Sequence, residues 1–247
     1  MTSTRRVRVI GPGRAGQSFA RALEGAGWRV EPHIAGRGDD VSPLAQGVDL
    51  LLMCTPDAAI ATVAQSVEPN PDCVIAHIAG SLPLEVLRPH SRVASIHPLV
   101  SLPDPETGSR RLQEGAFFAV AGDPLAVNVV ESLRGRWAEV SDDHRAIYHA
   151  TACIASNHLV ALMGQVERLA QMSGVPAEAF FDLARGSLDN ASTFGAATAL
   201  TGPAARGDQV TIERHLRALP LDERGTYLAL VAEAERLAGK DVTTWTS

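Results

Sequence analysis

Gly11-Pro12-Gly13-Arg14-Ala15-Gly16 constrains the fold of this chain more than any other segment. The six residues read G-x-G-x-x-G, and they stand directly between an apolar run, Val7-Arg8-Val9-Ile10, and a stretch of helical character over residues 15–26. In that context each glycine has a geometric task. Gly11 permits the tight strand-to-helix turn, Gly13 lets backbone approach a pyrophosphate, and Gly16 lets the helix pack closely on the strand. The helix N-terminus then offers unpaired N–H groups and a partial positive charge to phosphate. On this reading residues 11–16 hold the diphosphate of a dinucleotide; without a ligand they are a glycine-rich turn.

The second strand, expected over residues 29–34, should end at the residue that reads the adenosine ribose. Sites for NAD place an Asp or Glu about 20 residues beyond the loop, to accept the 2′-hydroxyl. Here the stretch is His33-Ile34-Ala35-Gly36-Arg37, with no carboxylate at its end. The guanidinium of Arg37 suits a 2′-phosphate, which favours NADP(H). Glu31 is the rival if the strand ends earlier, and Arg37 is then an ordinary loop arginine. After a third strand over 49–54 comes Cys54-Thr55-Pro56-Asp57, at the sheet edge where ligands bind in open α/β folds. Asp57 serves there either as a ligand contact or as the cap of a helix over 57–67.

Short apolar strands and helical stretches alternate through residue 141. Further strands are expected over 73–78, 93–96, 117–121 and 137–140, with a helix over 123–136. Such alternation implies right-handed crossovers and a parallel sheet. From Asp142 onward no strand pattern is found. Asp142 is placed to cap a helix running to about residue 173; Gly174 stops it and Pro176 opens the next. Helices are expected over 177–187, 208–219 and 222–237. The fold class is therefore α/β: a Rossmann-like parallel-sheet domain over 1–141, then an all-α domain over 142–247.

Composition agrees with two ordinary domains: 247 residues, 45% apolar and 20% charged, enough to bury a core and too apolar for wholesale disorder. The net charge of −6 argues against nucleic-acid or anionic-membrane partners. Cys54, Cys73 and Cys153 are scattered, with no Cys-x-x-Cys pair, and read as reduced thiols. Residues 1–6 are polar, and no apolar run reaches membrane-spanning length, so a cytoplasmic location is expected. Asn190-Ala191-Ser192 and Arg206-Gly207-Asp208, a glycosylation sequon and an adhesion-like tripeptide by pattern, then carry no such meaning.

Several separated motifs occur in order: the loop at 11–16, Thr55-Pro56-Asp57, His77 with Gly80, His97-Pro98, His149-Ala150, Ser156-Asn157-His158, Thr201-Gly202-Pro203, Arg206-Gly207-Asp208 and His215-Leu216. Over nearly its whole length the chain resembles a bacterial family that joins a Rossmann-like domain to a helical domain of unknown function, number 2520. That family is similar to β-hydroxyacid dehydrogenases, ketopantoate reductases and pyrroline-carboxylate reductases. The resemblance implies an NADP-dependent oxidoreductase reducing a small 2-oxo acid, with ketopantoate the leading substrate, and a homodimer paired through the helical domain. It points to Gly80, Ser81 and His97 as substrate-side residues. One departure stands out. The family's Ser-Gly after the fourth strand is here Ala79-Gly80-Ser81, so the hydroxyl is displaced by two positions.

His149, Cys153 and Asn157 are four residues apart and form one stripe on a regular helix. Ketopantoate reductases carry a Lys as general acid and an Asn on the corresponding helix. This chain has a single lysine, Lys240, so a lysine mechanism on this helix is excluded. Laying the Asn157 segment over the reductases' segment puts His149 near the lysine's place. A protonated imidazole supplies a proton to a developing alkoxide near neutral pH, and Asn157 would hold the substrate. Both residues have a bland alternative in packing and internal hydrogen bonding. Arg206 either clamps a substrate carboxylate or pairs with Asp208, itself placed as a helix cap. The histidine spacings fit no metal motif, so no metal is expected. Two readings compete with carbonyl reduction: reduction of an imine, and a nucleotide-binding sensor without turnover.

Overall fold

The computed structural model of the chain describes residues 4–243. The first three residues of the polar N-terminal stretch, and residues 244–247, lie outside the described residues. Two compact units are present, one up to Asn157 and one from His158 onward.

The first unit is built on a seven-stranded sheet of order β2-β1-β3-β4-β5-β6-β7. Its elements are β1 (Arg6–Ile10), α1 (Arg14–Gly25), β2 (Arg29–Val30), β3 (Leu50–Met53), α2 (Asp57–Ser66), β4 (Val74–His77), β5 (Val93–Pro98), α3 (Pro105–Gln113), β6 (Phe117–Gly122), α4 (Leu125–Ser132), β7 (Arg136–Glu139) and α5 (Arg145–Cys153). The near-continuous apolar run of β3 has a direct cause. Leu50 and Leu52 pack on one face with Phe19, Leu23 and Phe118, while Leu51 and Met53 pack on the other with Ile60 and Leu87. A strand covered on both faces has no polar side to show, and each fully buried aliphatic side chain contributes about 1.5–3 kcal/mol.

The sheet is mostly, not wholly, parallel. β6 runs antiparallel to β5, while every other neighbouring pair is parallel. The segment carrying α3 leaves and returns at one edge, and the Leu99 N–H donates to the Phe117 carbonyl at 2.8 Å, so β6 starts beside the end of β5. Helix α3 has no counterpart in the sequence reading. Pro105 occupies its first turn and the Asp104 carboxylate accepts from the Glu106 and Thr107 N–H groups, a start signal present in the sequence. β2 is shorter than expected: after the Glu31 N–H donates to the Val7 carbonyl, pairing resumes only at the Ile10–Ala35 bridge, where the Ala35 N–H donates to the Val9 carbonyl. α4 ends at Ser132 because the chain turns through Arg134, at φ 57°, and enters β7 at Arg136.

Residues 142–173 do not form one regular helix. A 3₁₀ turn spans Asp142–His144, α5 follows, the five residues Ile154–His158 form a π-helical turn, and α6 covers Leu159–Ser173. Asp142 does not cap: the N-cap is Ser141, and the Asp142 carboxylate instead accepts from Arg145 Nε at 2.7 Å and the Leu84 N–H at 3.2 Å. Arg145 also donates to Ser95 Oγ on β5 at 3.0 Å, which ties α5 to the sheet. The sequence reading placed the domain change near Ser141, whereas the compact units change at Asn157.

The second unit is helical: α6, α7 (Ala177–Phe194), α8 (Ala196–Ala199), α9 (Pro203–Arg206), α10 (Gln209–Ala218) and α11 (Arg224–Leu237). Gly174, at φ 74°, ends α6, and Pro176 precedes α7. α7 runs seven residues past the expected end at 187, α8 lies in a stretch for which no element is expected, and α9 falls within residues 201–208, whose sequence reads as a loop. Ala204, Ile212 and Val231 form the buried centre of this unit, with Leu216, Tyr227 and Ala234 against them. α7 buries none of its residues. Among the described residues no helix is long and apolar enough to cross a membrane.

Candidate functional site

The parallel register brings the carboxyl ends of β1, β3 and β4 level, pairing Ile10 with Met53 and Met53 with His77. β5 extends beyond this line, since His77 pairs with Ser95 and the strand continues through His97. A cleft of about 930 Å³ opens at this edge of the first unit. Its walls include residues 11–15, Gly36 and Arg37, residues 54–57, Gly80, His97 and His149.

Each glycine of the loop meets a different constraint. Gly11 adopts φ +106°, and a Cβ there would lie 2.5 Å from the Cys54 carbonyl oxygen. A Cβ on Gly16 would lie 1.9 Å from the Gly11 carbonyl oxygen, so Gly16 lies beneath the turn and not in the cleft wall. Gly13 is extended, and a Cβ there would meet nothing within 4 Å. As N-cap of α1 it supplies no side-chain acceptor, and the first turn carries no acidic residue. The amides at the start of α1 are therefore left for an anion.

Along one side of the cleft, the Ile10–Ala35 bridge sets Gly36 and Arg37 at the sheet edge. Arg37 is exposed and makes no ion pair among the described residues. Glu31 is engaged elsewhere: it accepts from Arg6 at 2.8 Å and lies 3.6 Å from Arg8. The Arg6 hydrogen bond holds its carboxyl below the usual range, and it does not line the cleft. On the opposite wall the Cys54 thiol is pushed far up by burial, and Thr55 Oγ1 is buried without a hydrogen-bond partner. Asp57 is not a helix cap. Pro56 holds that position, and Asp57 is the first residue of α2. Its carboxylate accepts from Ser81 Oγ at 3.2 Å, so the displaced serine touches Asp57 and does not itself line the cleft.

At the far end two imidazoles close over Gly80. A Cβ on Gly80 would stand 2.7 Å from His149 Nδ1 and 2.9 Å from both Cε1 and Nε2 of His97. The two rings lie 6.0 Å apart, centroid to centroid. His149 Nε2 is 3.6 Å from Cys153 Sγ, and its Nδ1 is buried without a partner. His97 Nδ1 lies 2.5 Å from the Tyr148 hydroxyl. Burial, helped by the nearby His149, pushes the His97 pKa down to about 4. Beneath the site His77 is fully buried with neither ring nitrogen hydrogen-bonded; burial, then Arg145, pushes its pKa down to about 4. Arg145 is 2% exposed.

Not every residue of the first unit singled out in the sequence lines the cleft. The π turn at Ile154–His158 interrupts the stripe expected from a regular helix. Cys153 stays against His149, while Asn157 is exposed and accepts from Ser156 Oγ at 2.8 Å. Arg206 ends α9 in the second unit, exposed and with no ion pair to Asp208 among the described residues. Asp208 caps α10, accepting from the Thr211 N–H at 3.1 Å. Two residues the sequence reading passed over are Tyr148 and Arg145. Arg145 stands three residues before Tyr148 and four before His149 on one helix, which was the available signal, but nothing local says that Arg145 enters the sheet.

The fold is that of NAD(P)-dependent oxidoreductases. The chain superposes on BF3122 of Bacteroides fragilis, which carries the provisional name NADP oxidoreductase, with TM-score 0.75 and 19% identity over 94% of this chain and 98% of that one. Protein TM1727 of Thermotoga maritima gives TM-score 0.74 and 23% identity, with the same coverage of 94% and 98%. Plasmodium falciparum pyrroline carboxylate reductase with NADP bound gives 0.61 and 12%, over 96% and 99%. Residues 117–234 match the model of DUF2520, a domain of unknown function; the chain carries that domain, as its motifs led us to expect. No curated protein matches it by sequence.

His77 and His97 take up a proton more readily in the unfolded chain, near pH 6.5, than in the fold, near 4. Stability is then full above about pH 6.5 and falls as pH drops toward 4, with His77 alone accounting for about 3 kcal/mol over that interval. Urea midpoints measured from pH 7 to pH 4.5 should decline accordingly, and more shallowly in His77→Gln. A flat profile would contradict a buried neutral imidazole.

Proposed function

We propose that the chain is an NADP(H)-dependent oxidoreductase that reduces a small 2-oxo acid, with ketopantoate the first substrate to test. The observation that carries this reading is the continuity of one cleft, from the uncapped start of α1 and the open Gly13 to the imidazoles over Gly80. The residues present fit the cofactor: backbone amides at the start of α1 for the diphosphate, Arg37 for a 2′-phosphate, and the unpartnered Thr55 hydroxyl for a further hydrogen bond. When bound, NADPH supplies a hydride to the carbonyl carbon. His149 then acts as general acid, passing a proton to the oxygen as negative charge builds there. Asn157, outside the cleft, is left out of this chemistry, and Arg206, a residue of the second unit, is given no part in it.

The likeness to pyrroline carboxylate reductase favours a second reading, reduction of an imine. An iminium already carries its proton, so the same site would need no acid. Assays with ketopantoate and pyrroline-5-carboxylate separate the two. His149→Ala should lower turnover of the 2-oxo acid about 10²-fold and leave imine reduction nearly unchanged. Binding of NADPH without oxidation by either compound would favour a nucleotide-binding protein without turnover.

NADPH should raise the melting temperature more than NADH does, because a ligand that binds only the folded chain stabilises it by mass action. Arg37→Ala should erase that preference, and Gly13→Ala should weaken both cofactors without lowering the melting temperature of the free protein. A larger shift with NADH would overturn the assignment of Arg37. The exposed Leu183, Leu188 and Phe194 of α7, at 67%, 52% and 62%, favour a homodimer through the helical unit, since α7 buries none of its residues within the single chain. Light scattering should return twice the chain mass, falling to one with Leu188→Glu; a monomer of the native chain would overturn the pairing.

A further inference from the structure

We infer that Tyr148 is a positioning residue: its hydroxyl donates to His97 Nδ1 and so fixes His97 as a neutral Nε2–H donor, aimed over Gly80 at the substrate's carbonyl oxygen. The inference rests on the reductase reading and adds to it a group that orients the substrate, distinct from the general acid.

The hydrogen bond joins Tyr148 Oη and His97 Nδ1 at 2.5 Å, with the two rings at 90°. Two protonation patterns satisfy that distance. If Nδ1–H donated to the phenol oxygen, the phenolic proton would need another acceptor, and Tyr148 makes no other side-chain hydrogen bond among the described residues. If the phenol donates, every proton is placed: Nδ1 accepts, and the single ring proton of a neutral imidazole sits on Nε2. Both charge states agree with this pattern. Burial raises the Tyr148 hydroxyl to about 12, against the opposing influence of Arg145. Burial also lowers His97 to about 4, with His149 and Arg145 acting the same way and Asp57 opposing. Near neutral pH the phenol keeps its proton and the imidazole gains none.

The geometry directs that Nε2–H. The Cε1–Nε2 edge of His97 is the part of the ring that faces Gly80, and His149 reaches the same point with Nδ1. His97, His149 and Gly80 line the cleft, while Tyr148 does not; it acts through His97. Glycine at position 80 is required because any side chain would displace both rings. A neutral donor beside a separate proton source divides the work: one ring holds the oxygen, and the other protonates it.

The test uses the full chain with NADPH and the 2-oxo acid it turns over. Tyr148→Phe should lower kcat/KM about tenfold with an unchanged melting temperature. His97→Gln, whose amide N–H replaces Nε2–H, should keep at least tenfold more activity than His97→Ala. The double variant Tyr148→Phe with His97→Gln should be no worse than His97→Gln alone, since no Nδ1 remains to be oriented. Imidazole ¹⁵N spectra of the cofactor-free chain at pH 7 should show His97 with a bare Nδ1 and a protonated Nε2, and a mixture of tautomers in Tyr148→Phe. Additive losses in the double variant, or a protonated Nδ1 in the native chain, would overturn the inference even in an active enzyme. A chain that shows the Nε2–H tautomer but oxidises NADPH with no carbonyl compound sinks the reductase reading instead, and leaves the Tyr148–His97 pairing standing.

Discussion

The close passage of Gly11 against the end of β3 sets the geometry on which the first unit depends. Backbone at Gly11 runs so near the Cys54 carbonyl that a methyl group would overlap it, and Gly16 lies beneath the same turn with its own Cβ position filled by the Gly11 carbonyl. These two contacts hold α1 against β1 and β3 at a separation only glycine allows. Because the turn is closed from below, its upper surface, at Gly13, is the open one. The start of α1, the residues after β3 and the bridge to Ala35 then face one space, which is why a single cleft gathers residues from six segments of the chain.

A second constraint lies under the end of the cleft that carries the two imidazoles. His77, Ser95 and Arg145 form a buried polar layer where β4, β5 and α5 meet, with Asp142 at its rim. Burying a guanidinium is costly unless it is paired, and here it is paired on two sides, to a carboxylate and to a strand hydroxyl. Burial keeps the neighbouring His77 neutral, and the Arg145 charge acts the same way, because a second positive charge in this layer would face both desolvation and repulsion. Anchoring α5 in this way brings His149, one helical turn further on, to the cleft, and sets Tyr148 against His97.

Much of this arrangement was legible locally. The loop at residues 11–16 announced itself by composition and by its position between a strand and a helix. The double-faced burial of β3 followed from an uninterrupted apolar run, and Gly174 and Pro176 marked a helix boundary that the structure keeps. Ten of the eleven cofactor-side positions read from the sequence line the cleft; Gly16 supports it from beneath. Less was legible wherever a position depends on a partner far along the chain. Ser81 looked like a ligand contact and touches Asp57. Asp142 looked like a cap and holds Arg145. Asn157 looked like the third residue of a stripe, but a π-helical turn lies before α6.

By itself the sequence determined the class of fold, the glycine turn between β1 and α1 and the order of sheet before helices, because these rest on interactions between near neighbours: alternation of apolar residues, conformational freedom of glycine, and breakage by proline. Only the tertiary structure decided which side of Gly80 carries two imidazoles, that Glu31 is taken up by arginines while Arg37 is not, and that β6 turns back against β5. Those outcomes depend on strand register and on pairs separated by tens of residues. A one-residue shift in register moves every side chain to the opposite face, and no local pattern carries that information.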